Sequence, residues 1–134
     1  MALDVGDKKI GVALSDPLKI TSQGLETYIR KDTEEDFKYF AELIKNNNVE
    51  ILVAGLPKNM NGSEGPQADK VKEFIKKLQK YTDVKVDYSD ERLTTMEAEK
   101  MLISGDVSRK NRKKVIDKVA ANLILQNYLQ RHYW

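Results

Sequence analysis

Four consecutive apolar residues at positions 51–54, Ile-Leu-Val-Ala, constrain this chain more than any other feature. The run has no polar alternation, so a strand formed there has no face to give to water and must be covered on both sides. Helices can provide that cover, and helical patterns stand both before and after the run in the chain. Phe37, Phe40, Ala41 and Ile44 recur at helical spacing upstream, and Val71, Phe74, Ile75 and Leu78 do so downstream. Thr33 and Asp36, three residues apart, read as an approximate capping pair for the first of these helices. A second strand is expected at 84–88, where Val84, Val86 and Tyr88 alternate with Lys85 and Asp87. Upstream, residues 1–5 and 10–14 read as strands, the second with Ile10, Val12 and Leu14 on one face, and 24–29 as a weaker third. Helices are expected at 94–103 and 112–130. Strands first, then strand alternating with helix, predicts an α/β fold. Its first strands form a hairpin or meander, and 51–54 and 84–88 form a parallel part joined by the helix at 71–78.

The length, 134 residues, predicts a single domain spanning 1–134. With 40% hydrophobic and 33% charged residues, the composition is that of a globular protein with a heavily solvated surface. The absence of cysteine excludes disulfides and thiolate metal sites, and a lone histidine, His132, excludes a histidine-rich zinc site. Any metal must therefore be held by oxygen, which points to magnesium, manganese or calcium. A net charge of +2 is too mild to argue for nucleic acid by itself, so the distribution of charge carries more weight. No apolar run approaches the roughly 18 residues of a membrane span, and no signal-peptide pattern opens the chain. The expected location is the cytoplasm.

The residues able to carry chemistry fall in four places. Asp4 follows an apolar start and precedes Gly6, which suits either a turn with positive φ or a close backbone approach by a ligand. For Asp4 the alternative role is turn capping. Residues 56–66, LPKNMNGSEGP, form a loop just beyond the buried strand, where open α/β sheets bind ligands. Lys58, Asn59 and Asn61 offer donors there for phosphate oxygens, although the composition is also that of an ordinary flexible loop. Asp90, Glu91 and Arg92 follow the strand at 84–88 and combine acids for a metal with a cation for phosphate; Thr94 and Glu97 read as a capping box. Asp117 has Ala120, Ala121 and Ile124 at i+3, i+4 and i+7, which places a carboxylate on or beside the apolar face of the last helix. An unpaired carboxylate there costs several kcal/mol, which favours a functional role over a salt bridge to Lys113 or Lys114. Arg109, Lys110, Arg112, Lys113 and Lys114 crowd the start of that helix, where the macrodipole disfavours cations, and a phosphate backbone is the natural outside partner. Asp4, Glu91 and Asp117 could together hold magnesium or manganese, provided the fold brings them together.

On these residues the chain resembles the YqgF family, described both as Holliday junction resolvases and as nucleases of pre-16S ribosomal RNA. The resemblance covers nearly the whole chain in four blocks: LDVGDKKIGVALSD (3–16), GLPKNMNGSEGP (55–66), DERLTTMEAEKML (90–102) and KVIDKVAANLILQNYL (114–129). It implies a ribonuclease H-like fold, a mixed five-stranded sheet with the first three strands antiparallel and flanking helices. It also implies that Asp4, Glu91 and Asp117 are catalytic and bind the metal. Two departures accompany it. The second aspartate that junction resolvases carry three residues from the last one is absent here, with Lys114 upstream and Ala120 downstream of Asp117. The chain also begins only three residues before Asp4.

The leading expectation is a Mg2+- or Mn2+-dependent nuclease acting on structured RNA, processing the 5' end of pre-16S ribosomal RNA, as a monomer or homodimer. The alternative is a resolvase of branched DNA, which would act as a dimer because two symmetric cuts need two sites. A non-catalytic RNA-binding module is a third class. An actin-like phosphotransferase needs a second phosphate loop and a second domain, for which 134 residues leave no room.

Overall fold

The computed structural model describes residues 1–19, 21–57, 64–90 and 109–133, with the backbone alone for 109–118. In chain order the elements are β1 (Ala2–Val5), β2 (Lys9–Ser15), β3 (Ser22–Ile29), α1 (Glu34–Asn46), β4 (Ile51–Leu56), α2 (Pro66–Leu78), β5 (Lys85–Asp90) and α3 (Arg109–His132). The helix expected at 94–103 lies outside the described residues.

The strands form one five-stranded sheet in the order β3-β2-β1-β4-β5. β1 pairs antiparallel with β2 and β2 with β3, while β1–β4 and β4–β5 are parallel. This is the mixed sheet expected from the sequence, with the helix α2 making the β4-to-β5 crossover. β1, the shortest strand, is central.

Strand alternation divides the core between the two faces. Leu3, Val5, Ile10, Val12, Leu52, Ala54 and Leu56 pack on one side with Phe40 and Ile44 of α1 and Val71, Phe74, Ile75 and Leu78 of α2. Ala2, Ala13 and Val53 pack on the other with Ala121, Ile124, Leu125, Tyr128 and Leu129 of α3. The run at 51–54 is thus covered from both sides, as its lack of alternation requires, and β4 continues two residues further to Leu56. The sheet side chains beneath α3 are small, so the helix lies close to the strands.

The capping pair forms only in half. The Thr33 hydroxyl accepts from the Glu35 N–H at 3.3 Å and caps α1. Asp36 turns inward instead: it is 1% exposed and accepts from the Tyr28 hydroxyl (2.7 Å) and from the backbone N–H groups of Lys31 and Asp32 (3.0 Å each). A reciprocal box uses a Glu or Gln side chain, and the Asp36 carboxylate is taken up by these three donors. α3 starts at Arg109, three residues before the expected 112, so Arg109–Lys114 belong to its opening turns rather than to the segment before it.

Candidate active site

Asp4 sits near the carboxyl end of the central strand, half-buried, with its Cα paired to Gly11 of β2. Alternation sets it on the same face as Ala2, the face that α3 covers. Gly11 brings no side chain to that row. Thr27, the next residue across on β3, contributes a buried hydroxyl without a protein partner.

The turn that follows Asp4 is held from three sides. Gly6 N–H donates to the Lys9 carbonyl at 2.9 Å. Arg30, at the end of β3, donates from Nη1 to the Gly6 carbonyl at 2.8 Å and from its backbone N–H to the Lys8 carbonyl at 2.9 Å. Its guanidinium also lies 5.0 Å from the Phe74 ring centre. Of the two reasons offered for Gly6, the positive φ does not hold. The close approach does, but the approaching group is the protein's own backbone: a Cβ there would meet the Lys9 oxygen at 2.8 Å. Lys8 and Lys9 are exposed on this turn, and Lys70 reaches Asp7 beside it at 3.4 Å.

Asp117 lies within α3 as expected, four residues before Ala121, and both Ala120 and Ala121 are fully buried. Its side chain is outside the described residues, as are the side chains of Arg109, Lys110, Arg112, Lys113 and Lys114. Lys58, Asn59, Asn61, Glu91 and Arg92 are outside them altogether. Asp90 closes β5 in register with Leu56, and alternation groups it with Val86, toward α1 and α2 rather than on the Asp4 face.

Among the described residues no three acids or histidines gather as a metal ligand set. The donor chemistry does fit a hard cation. Cysteine is absent, and the lone histidine, His132, stands exposed at the far end of α3 with its ring against Tyr128. An ion near Asp4 would find oxygen ligands, which suits magnesium or manganese. A cavity of about 400 Å³ opens elsewhere, between the amino ends of β1 and β4 and the last turns of α3, lined by Met1, Ile51, Leu125, Tyr128 and Leu129 among others. It faces away from Asp4 and has no evident part in this chemistry.

Sequence reasoning missed two contacts on these elements. Arg30 clamps a turn 24 residues away, and Tyr128 donates to Asp87 across 41 residues at 3.0 Å. Arg30 stands in no motif, Tyr128 lies in the last family block without any sign of its partner, and no periodicity marks a contact between separate elements.

A family model described as RuvX, Holliday junction resolvase, matches residues 1–131. A protein of Halothermothrix orenii named "Putative pre-16S rRNA nuclease" is 57% identical over 129 residues, 96% of this chain and 92% of the relative. A protein of the same name from Streptococcus equi subsp. equi is 52% identical over 136 residues, covering 99% and 98%. Among solved structures, Fowlpox virus resolvase in complex with its Holliday junction DNA aligns with TM-score 0.56 at 15% identity, over 98% of this chain and 97% of that one. Thermus thermophilus RuvC with a Holliday junction substrate aligns with TM-score 0.53 at 13% identity, over 98% and 93%. At such identities these two structures establish the fold, which is ribonuclease H-like.

Proposed function

The chain belongs to the RuvX family of Holliday junction resolvases, and on that premise we propose that it is a nuclease that hydrolyses phosphodiester bonds with a carboxylate-held Mg2+ or Mn2+ ion. One observation carries the metal reading. Asp4 stands on the central strand, on the face covered by α3, and α3 is the helix that carries Asp117. Glu91 follows β5 directly in the chain and supplies the third ligand. Asp4, Glu91 and Asp117 would hold the ion, which when bound would supply an activated water and stabilisation of charge at the leaving oxygen. Lys58, Asn59, Asn61 and Arg92 hold phosphates near the cut, and Arg109, Lys110, Arg112, Lys113 and Lys114 bind the backbone further along without reading sequence.

The proposed substrate is the 5' end of the pre-16S ribosomal RNA, which sets the action in the cytoplasm; the curated relatives bear the corresponding name. Cleavage of branched DNA is the second reading, favoured by the family's own description. Lys114 and Ala120, standing where a junction resolvase carries its extra aspartate, weigh against it. The test is cleavage of a panel of structured RNAs, including the pre-16S 5' end, and of four-way DNA junctions, with and without Mg2+ or Mn2+. Asp4→Asn should fold normally and lose at least ~100-fold in rate, the scale of removing a central catalytic contribution. Near wild-type cleavage by that variant, or cleavage unaffected by chelation, would refute the metal-nuclease assignment.

A further inference from the structure

Among the described residues α3 packs apolar side chains on the sheet, with Ala121, Ile124, Leu125 and Leu129 against Ala2, Ala13 and Val53. Such contacts are non-directional. A directional bond crosses the same interface: the Tyr128 hydroxyl donates to Asp87 Oδ2 of β5 at 3.0 Å. The Asp87 carboxylate is itself held, because its Oδ1 accepts from the Tyr88 N–H at 2.9 Å.

The bond lies where it can set the register of two site-bearing elements. The last turns of α3 share the cavity at the amino ends of β1 and β4, so α3 runs antiparallel to the parallel strands. Position 117 is 11 residues back from Tyr128, about 16 Å along the helix and toward the carboxyl ends of those strands. β5 runs in that same direction from Asp87 to Asp90, and Glu91 is the next residue. The bond therefore ties the helix carrying Asp117 to the strand that precedes Glu91.

Resting on the metal-site reading above, we propose that Tyr128 and Asp87 are positioning residues that fix the axial register of α3 and so the place at which Asp117 meets the ion. A whole-residue slip would turn the helix by about 100° and is excluded by the buried stripe, but a site must be held to within about 0.5 Å, finer than the step of about 1.5 Å that the stripe enforces.

Mn2+ binding to the full chain, read from the electron paramagnetic resonance of the free ion, tests this without recourse to cleavage. Tyr128→Phe and Asp87→Ala should each raise the Mn2+ Kd about 10-fold, the low end of what ligand-orienting partners contribute. The double variant should be no weaker than the weaker single, because both changes remove one tether. Ile44→Val destabilises the opposite face of the sheet and should leave the Kd unchanged. A Kd within about twofold of wild type for both single variants, or an equal rise in Ile44→Val, would overturn the assignment and leave the metal site standing. A wild-type chain that binds no Mn2+ would remove the metal-site reading and this inference with it.

Discussion

Replacing Gly6 by Ala tests the turn that follows Asp4, and the sign of the effect is decided by packing. Gly6 has no positive φ. A Gly→Ala change at an unstrained, open position ordinarily stabilises by about 0.4–1 kcal/mol through the unfolded chain. Here the new Cβ would stand 2.8 Å from the Lys9 carbonyl oxygen, a backbone atom that cannot swing aside. Restoring an ordinary contact of 3.4 Å means opening the turn by about 0.6 Å. That movement strains the Gly6–Lys9 bond (2.9 Å) and the clamp from Arg30 to the Gly6 carbonyl (2.8 Å). Overpacking costs about 1–3 kcal/mol and each weakened hydrogen bond up to about 1, against the small unfolded-state gain. Gly6→Ala should therefore lose about 1–3 kcal/mol in urea denaturation. On the proposed function, Asp4 is two residues away, and cleavage should fall about 10–100-fold, because a displacement approaching 1 Å misplaces a catalytic ligand. A variant as stable as wild type or more so would refute the argument that the Lys9 carbonyl demands glycine.

Asp36→Ala strands the Tyr28 hydroxyl and two backbone N–H groups, and should lose about 3–5 kcal/mol by chemical denaturation, with Tyr28→Phe losing about 1. Tyr28, Tyr39 and Tyr128 are pushed from 10.0 up to about 12, by burial first and then by their bonds to Asp36, Glu26 and Asp87. A raised folded-state value means that this stability is fully present below pH 10 and is lost as pH rises through about 12. Melting temperatures followed from pH 9 to 12.5, with tyrosinate absorbance, should show the fall, and Tyr28→Phe should flatten it. On the proposed function, alanine at a phosphate-contacting member of Arg109, Lys110, Arg112, Lys113 and Lys114 should lower the log–log salt slope of nucleic-acid binding by about 1. Five unchanged slopes would make the cluster a solvated surface.

Local pattern alone determined much of this fold. The unalternating run at 51–54 required cover on both faces and found it in α1 and α2 on one side and α3 on the other. Helical spacing located α1, α2 and α3, the unalternating run located β4, and period-two alternation located β2 and β5, with errors of a few residues at their ends. Such patterns are legible because burying a face imposes its period on neighbouring residues. Asp4 could be singled out because an acid in a short apolar strand, two residues before a glycine, is conspicuous within a few residues. What the tertiary structure decided concerns partners distant in sequence. Asp36, read as half of a cap, is a buried acceptor because β3 delivers Tyr28 above it and the chain before α1 turns two N–H groups toward it. Gly6 is constrained by a carbonyl three residues on that is folded back against it. Nothing in the sequence marks a partner for Arg30 or Tyr128, yet they tie together segments 24 and 41 residues apart respectively. A hydrogen bond depends on where two groups lie in space, to within a few tenths of an ångström, and sequence periodicity records only which side of an element faces the core.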